Sequence, residues 1–304
     1  MLKVAVRTDA SSIIGAGHFM RCLALVEELS LQLSEQNLKL TVTFISAQTT
    51  PFCESELLRN EFNLVKLPSA PLSTLEQDAI STQKVIAQLG QQHLLIVDSY
   101  AIQTPWYHEE IKAYCERTLV IDDLANRPHR CDFLLDQTLD TDGKRYTGLV
   151  PEDCRLLTGK SYMLLRHDFV RWREKAMLRR KSMATVKEIL INMGGSDAEE
   201  INKLVVEAVH QVNLFLESPL KVILVIPSKS GSLSYFQSMS TNSPWLKVLT
   251  DVKNMTELMY QADIAIGASG SSAWERCCLG LPTLAVELAD NQALVLDKLS
   301  SKGA

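Results

Sequence analysis

The residues best suited to chemistry lie close to the start of the chain, in the stretch Thr8-Asp9-Ala10-Ser11-Ser12-Ile13-Ile14-Gly15-Ala16-Gly17-His18. An imidazole at a cleft can take a proton from water near neutral pH, a role worth about 10² to 10⁴ in rate. Gly15 and Gly17 carry no Cβ and so let backbone approach a bound molecule closely. An isolated histidine is more often a packing or capping residue. Here it opens an amphipathic helix marked by Phe19, Leu23, Val26 and Leu29, directly after a glycine-containing loop. In that first turn the positive end of the helix dipole disfavours a second positive charge on the ring. His18 is therefore the expected general base.

A second group of residues has the character of an anion site. Ile189 to Met193 runs into Gly194-Gly195-Ser196-Asp197 and then a helical pattern. A turn of that kind exposes backbone N–H groups, and Ser196 adds a hydroxyl. Further on, Gly267-Ala268-Ser269-Gly270-Ser271-Ser272-Ala273-Trp274-Glu275 joins a strand to a helix with small residues and hydroxyls. It reads as a diphosphate cradle. Glu275 is placed to accept from the two hydroxyls of a ribose, with a favourable charge near a helix N-terminus as the plainer reading. The loop Glu287-Leu288-Ala289-Asp290-Asn291-Gln292 adds the amides of Asn291 and Gln292, suited to sugar hydroxyls or N-acetyl groups. Asp98-Ser99-Tyr100 closes an earlier strand and offers a phenol; Asp122-Asp123 closes the next and is assigned no chemistry.

Several alternatives are disfavoured on their own residues. Met20 stands where a dinucleotide fingerprint needs its third glycine, and Ser271 stands at the last glycine position of a nucleophile elbow. Asp140-Thr141-Asp142 matches a metal-holding Asp-x-Asp pattern but lies among turn formers, so a solvated turn is expected. The six histidines show neither i,i+4 pairing nor cysteine companions, so no metal is expected. The basic stretch from Arg171 to Lys181 reads as a solvated helix face. A net charge of −5 gives no general attraction to nucleic acid or an anionic membrane. The longest apolar runs are far too short for a bilayer, and the start of the chain has no signal-peptide core. Seven scattered cysteines, none in a Cys-x-x-Cys pair, are expected to be reduced thiols in a cytoplasmic protein. A monomer is the default.

These loops need strands and helices to hold them. Short Val- and Ile-rich runs alternating with helical patterns are the signature of parallel strands joined by crossover helices, an α/β architecture. The first series comprises Lys3 to Arg7, Leu40 to Ile45, Leu64 to Leu67, Leu94 to Asp98, Leu119 to Asp122 and Phe133 to Leu135. The second comprises Glu188 to Met193, Lys221 to Ile226, Lys247 to Leu249, Asp263 to Gly267 and Thr283 to Val286. With 304 residues, two domains are expected, residues 1–150 and residues 151–304, with the stretch from Thr138 to Lys181 as the connection between the two strand series. Ligands of such sheets bind beyond the carboxyl ends of the strands, which is where all the candidate loops fall.

Arg7-Thr8-Asp9 through Ile14-Gly15-Ala16-Gly17-His18 with Arg21, together with Asp98-Ser99-Tyr100, Ile121-Asp122-Asp123, Arg130-Cys131-Asp132 and Asn192 to Asp197, resembles the UDP-sugar hydrolases of pseudaminic acid biosynthesis. The likeness covers nearly the whole chain, and Ile-Gly-x-Gly-His-x-x-Arg is its most specific piece. The Gly-Gly-Ser and Ser-Ser-x-x-Glu elements are shared with type B glycosyltransferase relatives. The resemblance implies two Rossmann-like domains facing across a cleft, with UDP held mainly by the C-terminal one. It implies metal-independent hydrolysis, with no cofactor, of UDP-2,4-diacetamido-2,4,6-trideoxy-β-L-altropyranose to the free sugar and UDP. His18 would be the base, Tyr100 a substrate contact and Glu275 the ribose ligand. Gly15, Gly17, Arg21, Gly194, Gly195, Ser196, Ser271, Ser272, Asn291 and Gln292 complete the expected substrate-binding set. Relatives usually continue past the position of Ala304, so a shortened C-terminal end is expected. An inverting UDP-sugar glycosyltransferase and a nucleotide-sugar binding protein without turnover are the rival readings.

Overall fold

Side chains along the first strand, β1 (Leu2–Thr8), alternate between two apolar cores: Val4 and Val6 enter one, Ala5 the other. That alternation is what a strand covered on both faces requires. The computed structural model describes the whole chain except residues 12–13, 69–73, 108, 140–141, 195–197, 290–291 and 303–304, and the side chain of residue 294. It divides into two units, Met1–Arg166 and His167–Ala304.

In the first unit β1 is followed by helix α1 (Gly17–Glu35), β2 (Leu40–Ser46), α2 (Pro51–Arg59), β3 (Asn63–Lys66), α3 (Leu75–Leu89) and β4 (Leu94–Asp98). The short α4 (Glu109–Lys112) and three further strands, β5 (Thr118–Ile121), β6 (Phe133–Asp136) and β7 (Arg155–Thr158), complete it. The seven strands form one parallel sheet in the order β3-β2-β1-β4-β5-β6-β7. Helix α1 buries Phe19, Cys22, Leu23 and Val26, a stripe at helical spacing, into the core that holds Val4, Val6 and Phe44. Burying each of these large side chains favours the fold by about 1.5–3 kcal/mol.

The second unit carries α5 (His167–Ser182), β8 (Glu188–Asn192), α6 (Glu199–Asn213), β9 (Lys221–Ile226), α7 (Leu233–Asn242), β10 (Leu246–Thr250), α8 (Met255–Gln261), β11 (Ile264–Ala268), α9 (Ser272–Cys278), β12 (Thr283–Val286) and α10 (Ala293–Ser301). Its five parallel strands run in the order β10-β9-β8-β11-β12. Among the described residues, no helix is long and apolar enough to cross a membrane.

Two expectations change. The boundary falls after Arg166 rather than after residue 150, because Arg155–Thr158 pairs with β6 as an edge strand that extends the first sheet. The basic stretch from Arg171 to Lys181 is not merely a solvated face. Arg173 donates to the carbonyl of Cys278 at 2.6 Å, Arg179 to those of Gln261 and Ala262, and Arg180 to those of Met259 and Ala262. These are the last carbonyls of α9 and α8, groups that a helix leaves without internal partners and that cations stabilise.

Candidate active site

Each sheet has one place where the order reverses. In the first, the chain leaves β1 towards β2 and later returns to add β4 on the other side. The register sets Thr8 beside Asp98, so the loops after β1 and β4 open at a shared edge. That crevice is where open α/β sheets bind ligands. The loop after β1 turns back on itself: Gly15, with φ at +77°, donates its N–H to the carbonyl of Ser11 at 2.8 Å. Glycine is the residue that adopts this left-handed conformation at no steric cost. Gly17 then opens α1. Asp9 fastens the loop, accepting the amides of Ala47 and Gln48 while pairing with buried Arg7 at 2.8 Å.

His18 and Arg21, three residues apart, share one side of α1 beside its apolar stripe. Both reach Asp98, whose side chain is fully buried. His18 Nδ1 lies 2.6 Å from Asp98 Oδ1; Arg21 donates from Nε to Oδ2 at 2.5 Å and from Nη2 to Oδ1 at 2.7 Å. Cys22 Sγ adds a longer contact to Oδ2, 3.6 Å. Burial works against a charge on Asp98, but Arg21 and His18 outweigh it and hold the carboxyl well below the usual carboxylate range. An ionised oxygen 2.6 Å from a ring nitrogen requires a proton between them, so Nδ1 is the protonated nitrogen. In the neutral ring, that tautomer puts the lone pair on Nε2. This nitrogen has no hydrogen-bond partner among the described residues, and the side chain keeps a tenth of its surface open.

Tyr100 stands against this pair. Its ring meets the His18 ring edge-on at 4.4 Å, and its hydroxyl donates to Asp123 Oδ1 at 2.7 Å. Asp123 accepts in turn from Arg21 Nη1 at 2.7 Å, and Arg21 draws its carboxyl down despite burial. Arg127 sets the loop that carries Tyr100: it donates to the carbonyls of Ile102 and Ser99, pairs with Asp122, and lies over the Tyr100 ring. Arg21 is thus placed differently from the expectation. Its guanidinium is 5% exposed and committed to Asp98 and Asp123, so it supports the site from below rather than facing a substrate. Asp98, Asp123 and Arg127, to which the sequence reading gave no role, are the groups that position His18 and Tyr100. Asp98 and Asp123 stood in the strand-end runs that carry the family resemblance, without a role of their own, and Arg127 had no signal beyond following β5.

In the second unit the reversal lies between β8 and β11, with Gly267 in register beside Asn192. Gly194 follows β8 with φ at +86°, a conformation suited to glycine. Gly195, Ser196 and Asn291 lie outside the described residues. Ser271 and Ser272 open α9, and Glu275 falls one turn in, so all three share the edge with Gly194. Gln292 Oε1 accepts the amides of Ser269 at 3.2 Å and Leu288 at 3.1 Å, so its carbonyl tethers two loops. Trp274 is buried at 4% exposure. Among the described residues, no group of three or more His, Cys, Asp or Glu side chains is arranged to hold a metal ion.

No family model matches the chain. Two solved structures decide the architecture. The chain aligns over 99% of its length with 83% of Acinetobacter baumannii MurG, TM-score 0.59 at 16% identity, and over 97% with 85% of a Neisseria meningitidis UDP-GlcNAc 2-epimerase bound to UDP-GlcNAc, TM-score 0.62 at 12% identity. The fold is that of the type B glycosyltransferases. Within the type B fold, sequence similarity extends to the UDP-2,4-diacetamido-2,4,6-trideoxy-β-L-altropyranose hydrolase of Campylobacter jejuni, 26% identical over 307 residues, spanning 99% of this chain and 97% of that protein.

Proposed function

We propose that this protein hydrolyses UDP-2,4-diacetamido-2,4,6-trideoxy-β-L-altropyranose, or a closely related UDP-acetamido sugar, to the free sugar and UDP. The observation that carries the reading is the tether of His18 Nδ1 to ionised Asp98, which leaves Nε2 as the proton acceptor. Full-length similarity to the Campylobacter hydrolase supports the substrate class.

In this mechanism Nε2 of His18 removes a proton from water as its oxygen bonds to the anomeric carbon. The bond from that carbon to the diphosphate oxygen breaks, and UDP leaves with the electron pair. One displacement inverts the anomeric configuration. UDP is a stable anion, so its departure needs electrostatic support more than a proton, supplied by Gly194, Gly195 and Ser196 and by the hydroxyls of Ser271 and Ser272. Asp98 stabilises the imidazolium that forms, and Arg21 keeps Asp98 ionised. Glu275 takes the ribose hydroxyls.

The test incubates pure protein with the UDP-sugar and no acceptor. Stoichiometric free sugar and UDP, identified by mass spectrometry, support hydrolysis; turnover that appears only with an added acceptor identifies a transferase, and binding without product identifies a sensor. His18→Asn is expected to lower kcat by about 10² or more while leaving UDP affinity unchanged. Wild-type turnover in that variant sinks the assignment of the base.

A further inference from the structure

The second unit contains a buried cation with no carboxylate in direct contact among the described residues; adjacent Glu275 favours its charged form only at longer range. Arg276, on α9, is 3% exposed, and among the described residues no carboxylate pairs with it. The unit's other buried ionised side chain, Asp263, has Arg179 at 2.6 Å. Arg276 instead donates from Nη2 to the carbonyl of Ala268 at 2.7 Å and from Nη1 to Ser272 Oγ at 3.2 Å. Its Nε is buried and has no hydrogen-bond partner among the described residues. Taking a guanidinium out of water costs several kcal/mol unless a charge or a full set of acceptors replaces the lost solvent. Neutral acceptors at two of its nitrogens do not do so, and burial pulls Arg276 down to about 10.

The place is as informative as the charge. A Cβ on Gly267 would lie 2.5 Å from the carbonyl oxygen of Asn192 and 3.0 Å from Arg276 Nη1. The guanidinium therefore sits at the junction of the carboxyl ends of β8 and β11, the reversal point of the sheet. The turn from Ala268 to Ser272 lies over it. Ser272 Oγ accepts from Arg276, which directs the serine's own O–H away from the guanidinium, and a hydroxyl that accepts from a cation is a stronger donor. Ser269 Oγ, on the same turn, is buried without a hydrogen-bond partner among the described residues.

We propose that Arg276 is the charge complement of a nucleoside diphosphate held at this turn, acting as a positioning residue through Ser272 and as a source of positive potential beneath it. This rests on the proposed assignment of UDP binding to the second unit. The ligand class that satisfies the site is a polyanion with phosphate oxygens; a nucleoside without phosphates gains nothing from it.

The experiment is calorimetric titration of wild-type, R276Q and R276K proteins with UDP and with uridine. R276Q is expected to weaken UDP about tenfold or more, as removal of a charge-assisted hydrogen bond does, and to leave uridine within about twofold of wild type, with R276K recovering part of the loss. Unchanged UDP affinity in R276Q overturns the proposal, and so does a parallel loss for UDP and uridine, which marks a structural role alone. Wild-type protein that fails to bind UDP overturns the reading of the second unit itself, a result distinguishable from either. Should R276Q not fold, the assigned Nε–H resonance of Arg276 in wild-type protein decides: a shift on adding UDP but not uridine supports the role, and no shift overturns it.

Discussion

His18 is useful only in one tautomer, and a single carboxylate selects it. Replacing Asp98 with asparagine keeps the shape but removes the charge that holds the proton on Nδ1, and the amide can equally present a donor to that nitrogen. Asp98→Asn is expected to lower kcat by about 10² to 10⁴, the range seen when a buried carboxylate behind a catalytic histidine is neutralised. The same change leaves the Arg21 guanidinium with Asp123 alone, and breaking one side of a buried ion pair costs about 3–5 kcal/mol. Urea denaturation alongside steady-state kinetics separates the two effects: Tyr100→Phe removes the hydroxyl bond to Asp123 without touching Asp98, so it should cost about 1 kcal/mol with a smaller drop in turnover. His18, Gly15 and Tyr100 stood out in the sequence as candidates because each lies in a short, distinctive run, and the structure sets the His18 and Tyr100 rings edge-on. The bond from Asp98 to His18 was not readable, because the two lie 80 positions apart and only the β1–β4 pairing brings them together.

The strands were readable where burial on both faces makes a continuous apolar run, as in Val222 to Ile226 of β9 and Leu94 to Val97 of β4. β7 was not, because an edge strand is covered less completely and Arg155-Leu156-Leu157-Thr158 is short and bounded by polar residues. The basic run of α5 misled for a related reason. Charge spacing alone does not separate a solvated face from one that meets the ends of α8 and α9. Where β11 meets β8, the elements leave no room for a side chain. Gly267→Ala should therefore cost about 1–3 kcal/mol by forcing the two strand ends apart, measured as a shift of the urea midpoint at unchanged slope. Gly270→Ala, three residues on, meets nothing within 4 Å and is the control expected to stay within about 0.5 kcal/mol.

Buried ionisable groups are unevenly shared by the molecule. Among the described residues the first unit buries Arg7, His18, Arg21, Glu56, Asp78, Asp98, Asp122, Arg127, His129 and Asp136, whereas the second buries Asp263 and Arg276. Acid should therefore unfold the first unit before the second. His129 sets the upper part of the window. Buried near Arg127 and Tyr107, with Asp122 Oδ1 3.9 Å from Nε2, it has no hydrogen-bond partner at either ring nitrogen among the described residues, and burial lowers it to about 4. An unfolded histidine titrates near 6.5. Between those values the unfolded chain binds a proton that the native one refuses, so stability falls with pH, by about 3 kcal/mol across the interval. Asp98 continues the loss below about pH 4, because its native carboxyl sits lower than the unfolded one and stays ionised while the unfolded chain protonates. Hydrogen exchange followed by mass spectrometry at pH 6.5, 5.5 and 4.5 should show protection falling in peptides of β5 and β6 while β8 and β9 keep theirs. His129→Leu should remove most of that slope above pH 4 without changing the lower limb, and an unaltered slope in the variant would assign the acid lability to other groups.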